Sequence, residues 1–533
     1  MPGGPSLRRD ESAHNPRVTA RDVRDLLLAP RLEPGDVAAL LGAHGLRDAA
    51  AADRNLQSMA ADPLDRKALA EILPELLLVL SRSADPDQGL NLLERYVRAS
   101  LNPRSLFIHF KADLRCLEVL VLTCGASPFL AEILIRSPAW LYWLTDPAVL
   151  ARPRGTREIA IEVDRALRAS EGEELKRDAL RVVKRRELLH IGVRDLLRLA
   201  SVEETLLGLT RLADVLVRRA FDVSDEALRR EHGLPARRSP RDAFCVLGLG
   251  KLGGEELNFS SDVDLVYVFA SEDGRLGRRG AGLPRDQYAK QLARRLTAAL
   301  GDVTAQGSVY RVDLRLRPEG QMGKLAVTVA AAEDYYRERA STWERLALVK
   351  ARPVAGDRAL GQSFLRRVQP FVYGRPFGPD DLAAMREVKR GIDKKVAARA
   401  ETHRHVKLGF GGIREIEFAV QVLQLRHGRR VPRLRRRATL EALAALRETG
   451  RLEEAEARDL ERAYLFLRDV ENKLQMVADT QTHTLPDDAA ALRTCALRLG
   501  YQGPGPAEEA LLADYRRHTE AAHRVFRRVM EEG

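Results

Sequence analysis

The sequence predicts a mostly α-helical protein in which a small α+β unit lies between two helical blocks. Hydrophobic residues make up 45% of the 533 residues but aromatic residues only 5%, and cores of Leu, Ala and Val suit packed helices better than β-sandwiches. Apolar residues recur at helical spacing from about residue 69 to 223, as at Leu209, Leu212 and Leu216, and again from about residue 380 onward. Between these blocks, short apolar and alternating runs indicate strands.

Three regions follow from this pattern at roughly 100–200 residues per domain. We predict an N-terminal helical region at 1–240, an α+β domain at 241–370 and a C-terminal helical bundle at 371–533. The stretch from Ser224 to Arg241 contains Gly and Pro residues typical of a linker.

The charge balance favours anionic partners without indicating a nucleic-acid binder. Lys and Arg number 88 against 76 Asp and Glu, which gives a net charge of +12. This excess favours phosphates and nucleotides, although a solvated Arg-rich surface explains most of it. The basic residues form no stripe with interleaved aromatic residues, so no nucleic acid is expected.

Membrane and secreted classes are also disfavoured. The most apolar stretch, Leu117 to Ile135, contains Glu118 and Glu132 and is too interrupted to span a bilayer. The N-terminus lacks the apolar segment of a signal peptide. Only four cysteines occur, without a CxxC pair or zinc spacing, so a reducing cytoplasm fits best.

The segment from Gly248 to Asp264 permits three phosphate-binding interpretations. A P-loop is excluded because Lys251 is followed by Leu252 rather than Ser or Thr. The GxGxxG pattern of a dinucleotide-binding fold is present, but only eight residues separate Gly253 from Asp262. A helical crossover between parallel strands needs a dozen or more residues, so this interpretation also fails.

The third interpretation is a nucleotidyltransferase site. Asp262 and Asp264 alternate on one strand and therefore project to the same face. A second alternating strand, Val309 to Arg317, places Asp313 on its polar face, and it completes the cluster if the two strands are neighbours. Three carboxylates of this kind hold two divalent ions in phosphoryl-transfer sites. We expect Asp262, Asp264 and Asp313 to be catalytic and to bind two Mg²⁺ ions, because Mg²⁺ prefers such hard oxygen ligands.

Further residues are candidates for binding the nucleotide or phosphate. Arginines on the Asp313 strand and basic or glycine residues near the first turn suit phosphate oxygens. The candidates are Gly253, Gly254, Ser261, Lys251, Arg315, Arg317, Lys350 and Arg352. A solvated role explains Lys251 equally well, and Lys350 and Arg352 also fit the C-terminal end of a helix. Beside Lys407, the glycines at 409–412 fit a tight turn better than an anion site.

Long motifs carry a resemblance to one known family. The runs at 250–265, 309–318, 343–352 and 407–418 closely resemble the bifunctional glutamine synthetase adenylyltransferase/adenylyl-removing enzymes. The resemblance implies a polymerase-beta-like nucleotidyltransferase domain. In that family the N-terminal half removes AMP from a tyrosine of glutamine synthetase by phosphorolysis, which gives ADP, and the C-terminal half adds AMP from ATP.

The resemblance implies the adenylyl-removing activity for this chain. One catalytic motif is present where the family has two. Its sequence from Asn258 to Asp262 resembles that of the family's N-terminal half. The implied partners are glutamine synthetase, the PII signal protein, ATP or ADP, and phosphate. Three alternatives remain: AMP addition, nucleotide transfer to another protein, and a helical regulator with an inactive catalytic domain.

Overall fold

The chain divides into two compact units, Met1–Asp146 and Pro147–Gly533. The computed structural model describes residues 20–29, 32–235, 242–277 and 282–531. The sequence predicts a domain boundary near residue 240. In the structure, the helices between residues 147 and 235 belong to the same unit as the sheet. No helix among the described residues is long and apolar enough to cross a membrane.

The first unit consists of helices joined by short turns. Several begin with a capping Asp or Asn followed by Pro, as at Asp62, Asp85 and Asn102, whose side chains accept hydrogen bonds from first-turn amides. Such caps satisfy amides that the helix itself leaves unpaired. The helices are α1 Ala20–Leu28, α2 Pro34–Gly42, α3 Ala49–Met59, α4 Pro63–Ser81, α5 Pro86–Ala99, α6 Pro103–Ala112, α7 Leu114–Ala126, α8 Pro128–Arg136 and α9 Trp140–Thr145.

The second unit contains the sheet and the remaining helices. Before and within the sheet region the helices are α10 Pro147–Leu150, α11 Thr156–Arg168, α12 Gly172–Leu196, α13 Val202–Glu231, α14 Gly250–Gly253, α15 Arg285–Gly301, α16 Val329–Glu338, α17 Thr342–Val349 and α18 Arg358–Gln369. The later helices are α19 Pro379–Ala397, α20 Ile413–His427, α21 Thr439–Glu448, α22 Glu454–Gln475, α23 Ala489–Arg498 and α24 Ala507–Glu531. The described residues also form two short 3₁₀ segments, Gly320–Met322 and Pro432–Leu434, and a π-helical turn, Pro370–Gly374.

A five-stranded mixed sheet forms the centre of this unit. Its strands are β1 Phe244–Gly248, β2 Val263–Phe269, β5 Val312–Asp313, β6 Ala326–Thr328 and β7 Arg352–Gly356, and a separate hairpin pairs β3 Arg275–Leu276 with β4 Leu283–Pro284. The strand β1 pairs antiparallel with both β2 and β7. The strands β5 and β6 pair in parallel with successive parts of β2. The predicted embedding of a small α+β domain in helices is confirmed.

Three predicted element limits are wrong. Helix α13 continues to Glu231, so the predicted linker does not begin at Ser224, which is buried within the helix. Residues 236–241 of that linker lie outside the described residues. The predicted strand from Val309 to Arg317 exists only at Val312–Asp313, because the chain turns from Arg315 onward.

The third correction concerns the segment after α17. Arg352 does not end a helix but begins β7, which pairs with β1 alone among the described strands and is therefore an edge strand. The strand was missed because Pro353 lowers strand propensity, and Pro is tolerated in edge strands.

We predict that Leu216→Ala lowers the free energy of unfolding by about 2–5 kcal/mol, since it removes a fully buried side chain from α13. Leu207→Ala on the same helix is the matched control, because Leu207 is 36% exposed, and its cost should be less than half as large. Chemical denaturation of the three proteins measures both values, and equal losses would contradict the described orientation of α13.

Candidate functional site

A one-turn helix leads the chain from β1 into the site. Helix α14 covers only Gly250–Gly253, and no longer helix separates it from β2. The Leu249 amide donates to the Asp264 carbonyl at 2.9 Å. Gly250 has a φ of +53°, and a Cβ there would lie 2.2 Å from Asp264 Oδ2. Only glycine therefore permits both this backbone conformation and the position of the carboxylate.

Strand pairing brings the predicted carboxylates to one cleft. In the parallel pair of β2 and β5, Asp264 lies opposite Asp313. Val263 and Leu265 are fully buried on the other face of β2, as the alternation of a strand requires. Asp262, which directly precedes β2, lines the same cleft of about 780 Å³ as Asp264 and Asp313.

Arginines neutralise two of the three carboxylates. Arg311 Nε donates to Asp262 Oδ1 at 2.7 Å. The backbone amide of Arg315 donates to Asp313 Oδ1 at 2.8 Å, and its Nε donates to Asp313 Oδ2 at 2.9 Å. The two arginine side chains are 50% and 67% exposed. Because exposed ion pairs contribute about 0–1 kcal/mol, a divalent ion can replace these partners.

The pKa of the remaining carboxylate, Asp264, is raised by its place in the cluster. Burial, together with repulsion from Asp313 and Asp262, raises the pKa of Asp264 to about 6. Burial also acts to raise the pKa of Asp313, but hydrogen bonds from Arg315 outweigh it, and this pKa lies below its ordinary value. The excess negative charge and the three hard oxygen donors fit a divalent cation such as Mg²⁺.

Besides Arg315, three of the predicted phosphate-binding cations have carboxylate partners. Lys350 Nζ is bonded to Glu256 and to Glu417 Oε1 at 2.7 Å. Arg352 forms a bidentate pair with Asp214 at 2.8 and 3.0 Å. In both cases the ion pair ties elements of the fold together.

Lys251 is held in the wall of the cleft. Its Nζ donates to Asn258 Oδ1 at 2.6 Å and to Glu471 Oε1 at 3.0 Å. Burial lowers the pKa of Lys251 to about 7 despite the attraction of Glu471. Ser261 also lines the cleft, and its hydroxyl donates to Asn258 Oδ1 at 2.9 Å.

The other predicted phosphate-binding residues are placed differently. Arg315 lines the cleft at its exposed side, whereas Arg317 donates to the carbonyls of the turn at Leu314, Gln321 and Gly323. Gly250 lines the cleft, but Gly253 packs on α17, where a Cβ would lie 2.1 Å from the Lys350 carbonyl oxygen. At Gly254 a Cβ would meet the Glu256 side chain at 2.8 Å.

The helical region after the sheet supplies the opposite wall. Its apolar lining residues include Met385 and Phe418, and Trp343 and Leu346 of α17 line the cleft as well. Its polar lining residues are Lys395, Lys407, Arg414, Glu417, Gln421, Gln475, Gln481 and His483. Sequence reasoning did not assign Lys407 or Arg414 to the site. The available signal was the motif at 407–418, which carries part of the family resemblance and whose glycines at 409–412 fit a tight turn.

A second group of ligand-type side chains lies in the first unit. Among the described residues, His109, Asp113 and Cys116 bring one ligand atom each to within 4.8 Å of one another. Asp113 also caps α7, and Cys116 Sγ lies 3.0 Å from Thr145 Oγ1. These contacts give Asp113 and Cys116 structural roles within the first unit.

Comparison with known proteins indicates the family. Residues 117–367 match the family model described as Glutamate-ammonia ligase adenylyltransferase. Residues 383–530 match the model described as GlnD PII-uridylyltransferase. The first match contains all three aspartates, and the second contains Lys407 and Arg414.

Two curated relatives from different bacteria carry the same name. The chain is 39% identical over 415 residues to the bifunctional glutamine synthetase adenylyltransferase/adenylyl-removing enzyme of Thioalkalivibrio sulfidiphilus. The aligned region covers 77% of the chain and 42% of that protein. It is 42% identical over 392 residues to the enzyme of the same name from Stenotrophomonas maltophilia K279a, covering 73% and 40%. The chain thus spans about two fifths of the length of these relatives.

We predict that Asp264→Asn stabilises the protein at neutral pH in EDTA. The pKa of an Asp in an unfolded chain is about 3.9, which is about two units below the pKa of Asp264 in the folded protein. Between these pH values the folded state binds more protons, so the free energy of unfolding falls as the pH rises. After allowance for solvent screening, the free energy of unfolding of the variant should exceed that of the parent by about 2 kcal/mol above about pH 7. Below about pH 4 the two values should be equal.

Chemical denaturation of the parent and the variant across this pH range measures the difference. An advantage for Asp264→Asn that does not change with pH would contradict the described electrostatics of the cluster.

We predict that Gly250→Ala weakens Mn²⁺ binding at least about tenfold, since the new Cβ displaces the Asp264 carboxylate. Gly503→Ala is the control, because a Cβ at Gly503 meets nothing within 4 Å. Titration of Mn²⁺ by electron paramagnetic resonance measures the affinity. Equal affinity in all three proteins would show that the Asp264 carboxylate does not bind the ion.

Proposed function

We propose, from its homology with the bifunctional glutamine synthetase adenylyltransferase/adenylyl-removing enzymes, that this chain is a metal-dependent nucleotidyltransferase acting on glutamine synthetase. The observation that carries the proposal is the register of β2 and β5, which sets Asp264 beside Asp313. Asp262 lines the same cleft. Carboxylates in this arrangement suit transfer of a nucleotidyl group.

Mg²⁺ is the proposed cofactor, with two ions as in other two-metal sites. Asp262, Asp264 and Asp313 would hold it. When bound, it supplies positive charge that offsets the charge on the phosphate oxygens. The proposed contribution of the chain is to orient the carboxylates through strand register and to leave room for Asp264 at Gly250.

The proposed direction is removal of AMP by phosphorolysis. An oxygen of hydrogen phosphate forms a bond to the phosphorus of tyrosyl-AMP, and the bond from that phosphorus to the tyrosine oxygen breaks. The proton of the phosphate passes to the tyrosine oxygen, so the products are tyrosine and ADP. The phenolate, whose conjugate acid has a pKa near 10, is a tolerable leaving group. Support for this direction comes from the Asn-Phe-Ser-Ser-Asp run at 258–262.

The proposed residues around the nucleotide differ in what supports them. Lys251, Ser261 and Arg315 line the cleft, and we propose that they contact phosphate or nucleotide. Lys350 lines it as well, but its charge is balanced by Glu256 and Glu417. We propose that Arg317, Arg352, Gly253 and Gly254 support the site through the packing described above.

The proposed partners follow from the family. They are glutamine synthetase as protein substrate, ATP or ADP, phosphate, and the PII signal protein as regulator. The proposed location is the cytoplasm, with which four buried, free cysteines agree.

A second candidate is transfer of a uridylyl group to another protein. The match of residues 383–530 to the PII-uridylyltransferase model favours it. The same carboxylates would serve both reactions, so the protein substrate and nucleotide separate the two.

We predict that the chain releases ADP from adenylylated glutamine synthetase in the presence of Mg²⁺ and phosphate. Asp264→Asn and Asp313→Asn should each lower turnover by more than about a hundredfold, because each removes a metal-binding carboxylate. Asp334→Asn is the matched control, since Asp334 is 58% exposed on α16 and lies outside the residues that line the cleft.

The assay is run beside AMP addition from ATP to unmodified glutamine synthetase and uridylyl transfer from UTP to PII. ADP release that persists in Asp264→Asn would refute the site. Absence of ADP release together with activity in one of the other two assays would refute the proposed direction or substrate.

A further inference from the structure

Among the described residues, two partly buried cations on the helical wall of the cleft have no counter-ion in contact. Lys407 precedes α20, Arg414 lies in its first turn, and both line the cleft with Asp264. Among the hydrogen bonds and ion pairs of the described residues, neither side chain has a partner within 4.0 Å, and Arg414 Nε is buried without one. Both side chains are only partly exposed.

Other cations in and behind the walls of the cleft are paired, whereas Lys395, on the helical wall itself, is exposed to solvent. Lys251 Nζ lies 3.0 Å from Glu471, Lys350 Nζ lies 2.7 Å from Glu417, and Arg468 Nη1 lies 2.8 Å from Glu471. Removing charge from water without a partner is unfavourable. Among the described residues, the Arg414 guanidinium has a cation–π contact, 5.6 Å from the Phe418 ring centroid, but no ion pair, and Lys407 has none either. Two positive charges therefore remain available to an anionic ligand.

The two cations lie close to the carboxylate cluster. Burial lowers the pKa of Lys407, and repulsion from Arg414 lowers it further. Both side chains oppose the rise in the pKa of Asp264. An anion bound by them would therefore lie within electrostatic reach of the proposed metal-binding carboxylates.

The backbone at this helix start does not form the anion site. The amide of Ile413 donates to the Val406 carbonyl at 3.0 Å, and the amide of Arg414 donates to the Lys407 carbonyl at 2.9 Å. At Gly411, whose φ is +62°, a Cβ would lie 1.9 Å from the Thr519 carbonyl oxygen. The glycines thus form a tight turn that positions the two side chains, and those side chains are left to bind the ligand.

We infer that Lys407 and Arg414 bind the phosphate group that is exchanged with the protein-bound nucleotide. A planar guanidinium and an ammonium suit a tetrahedral dianion. The ligand is free orthophosphate or, if the chain runs in the adding direction, the terminal phosphates of ATP. This inference rests on the proposed function, since it assigns the phosphate site of the same cleft.

Binding of orthophosphate tests the inference without any turnover. Phosphate should raise the thermal unfolding midpoint of the parent in a saturable manner at constant ionic strength. Lys407→Met and Arg414→Met should each weaken this binding at least about tenfold, as loss of a charge-assisted hydrogen bond predicts. Lys290→Met, which removes an exposed cation from α15, should bind phosphate like the parent.

The variants are expected to fold, because neither substitution breaks an ion pair. Their unfolding midpoints without phosphate should equal or exceed that of the parent. If Arg414→Met does not fold, Arg414→Lys keeps the charge, loses the bidentate geometry and should show intermediate affinity.

Nucleotides separate the two sources of phosphate. Loss of ATP affinity without loss of AMP affinity in Lys407→Met supports a site for the terminal phosphates. A raised KM for orthophosphate in ADP release supports the phosphorolysis site. Unchanged affinities for both orthophosphate and ATP in the two variants overturn the inference.

The same measurements separate this inference from the proposed function. Phosphate binding that depends on Lys407 and Arg414, without ADP release, leaves the anion site standing and refutes the function. Normal ADP release with an unchanged KM for phosphate in both variants leaves the function standing and refutes the anion site.

Discussion

The parallel pairing of β2 with β5 is the constraint on which the site depends. It sets Asp264 opposite Asp313 and leaves Asp262 at the same cleft, although like charges at this spacing repel. Several features of the chain accommodate that repulsion. Gly250 leaves space for the Asp264 carboxylate, and exposed arginines pair with the other two carboxylates. Burial, together with repulsion from Asp313 and Asp262, still raises the pKa of Asp264 to about 6, so a nearby cation would be favourable.

A buried polar network attaches the helical region to the loop that precedes these aspartates. Arg468 on α22 donates to Asn258 Oδ1 at 3.2 Å, and Gln475 Oε1 accepts from Asn258 Nδ2 at 2.9 Å. Glu471, between them on α22, accepts from Lys251. Breaking one partner of a buried ion pair typically costs about 3–5 kcal/mol. The position of the loop before Asp262 therefore depends on α22, more than 200 residues away along the chain, as the separation of 217 for the Asn258–Gln475 bond shows.

The local parts of the site could be predicted from the sequence, and the long-range parts could not. The alternation of Asp262 and Asp264 and the short connection after Gly253 are properties of adjacent residues, so the strand β2 and the absence of a crossover helix were predicted correctly. The end of β5 at Asp313 was not predicted. Hydrogen bonds from Arg317 to backbone carbonyls of the following turn hold the chain in a turn instead of an extended strand. Nothing near Lys407 or Arg414 in the sequence indicates that they lack partners, since that depends on which carboxylates other elements bring to the cleft.

The most direct test of the central claim is to locate bound Mn²⁺ by anomalous diffraction from crystals of this chain. The account predicts anomalous peaks about 2.1 Å from carboxylate oxygens of Asp262, Asp264 and Asp313, with Arg311 and Arg315 moved off their aspartates. A fully occupied ion bound only elsewhere, for example at His109, Asp113 and Cys116, with the two arginine pairs intact, would contradict it.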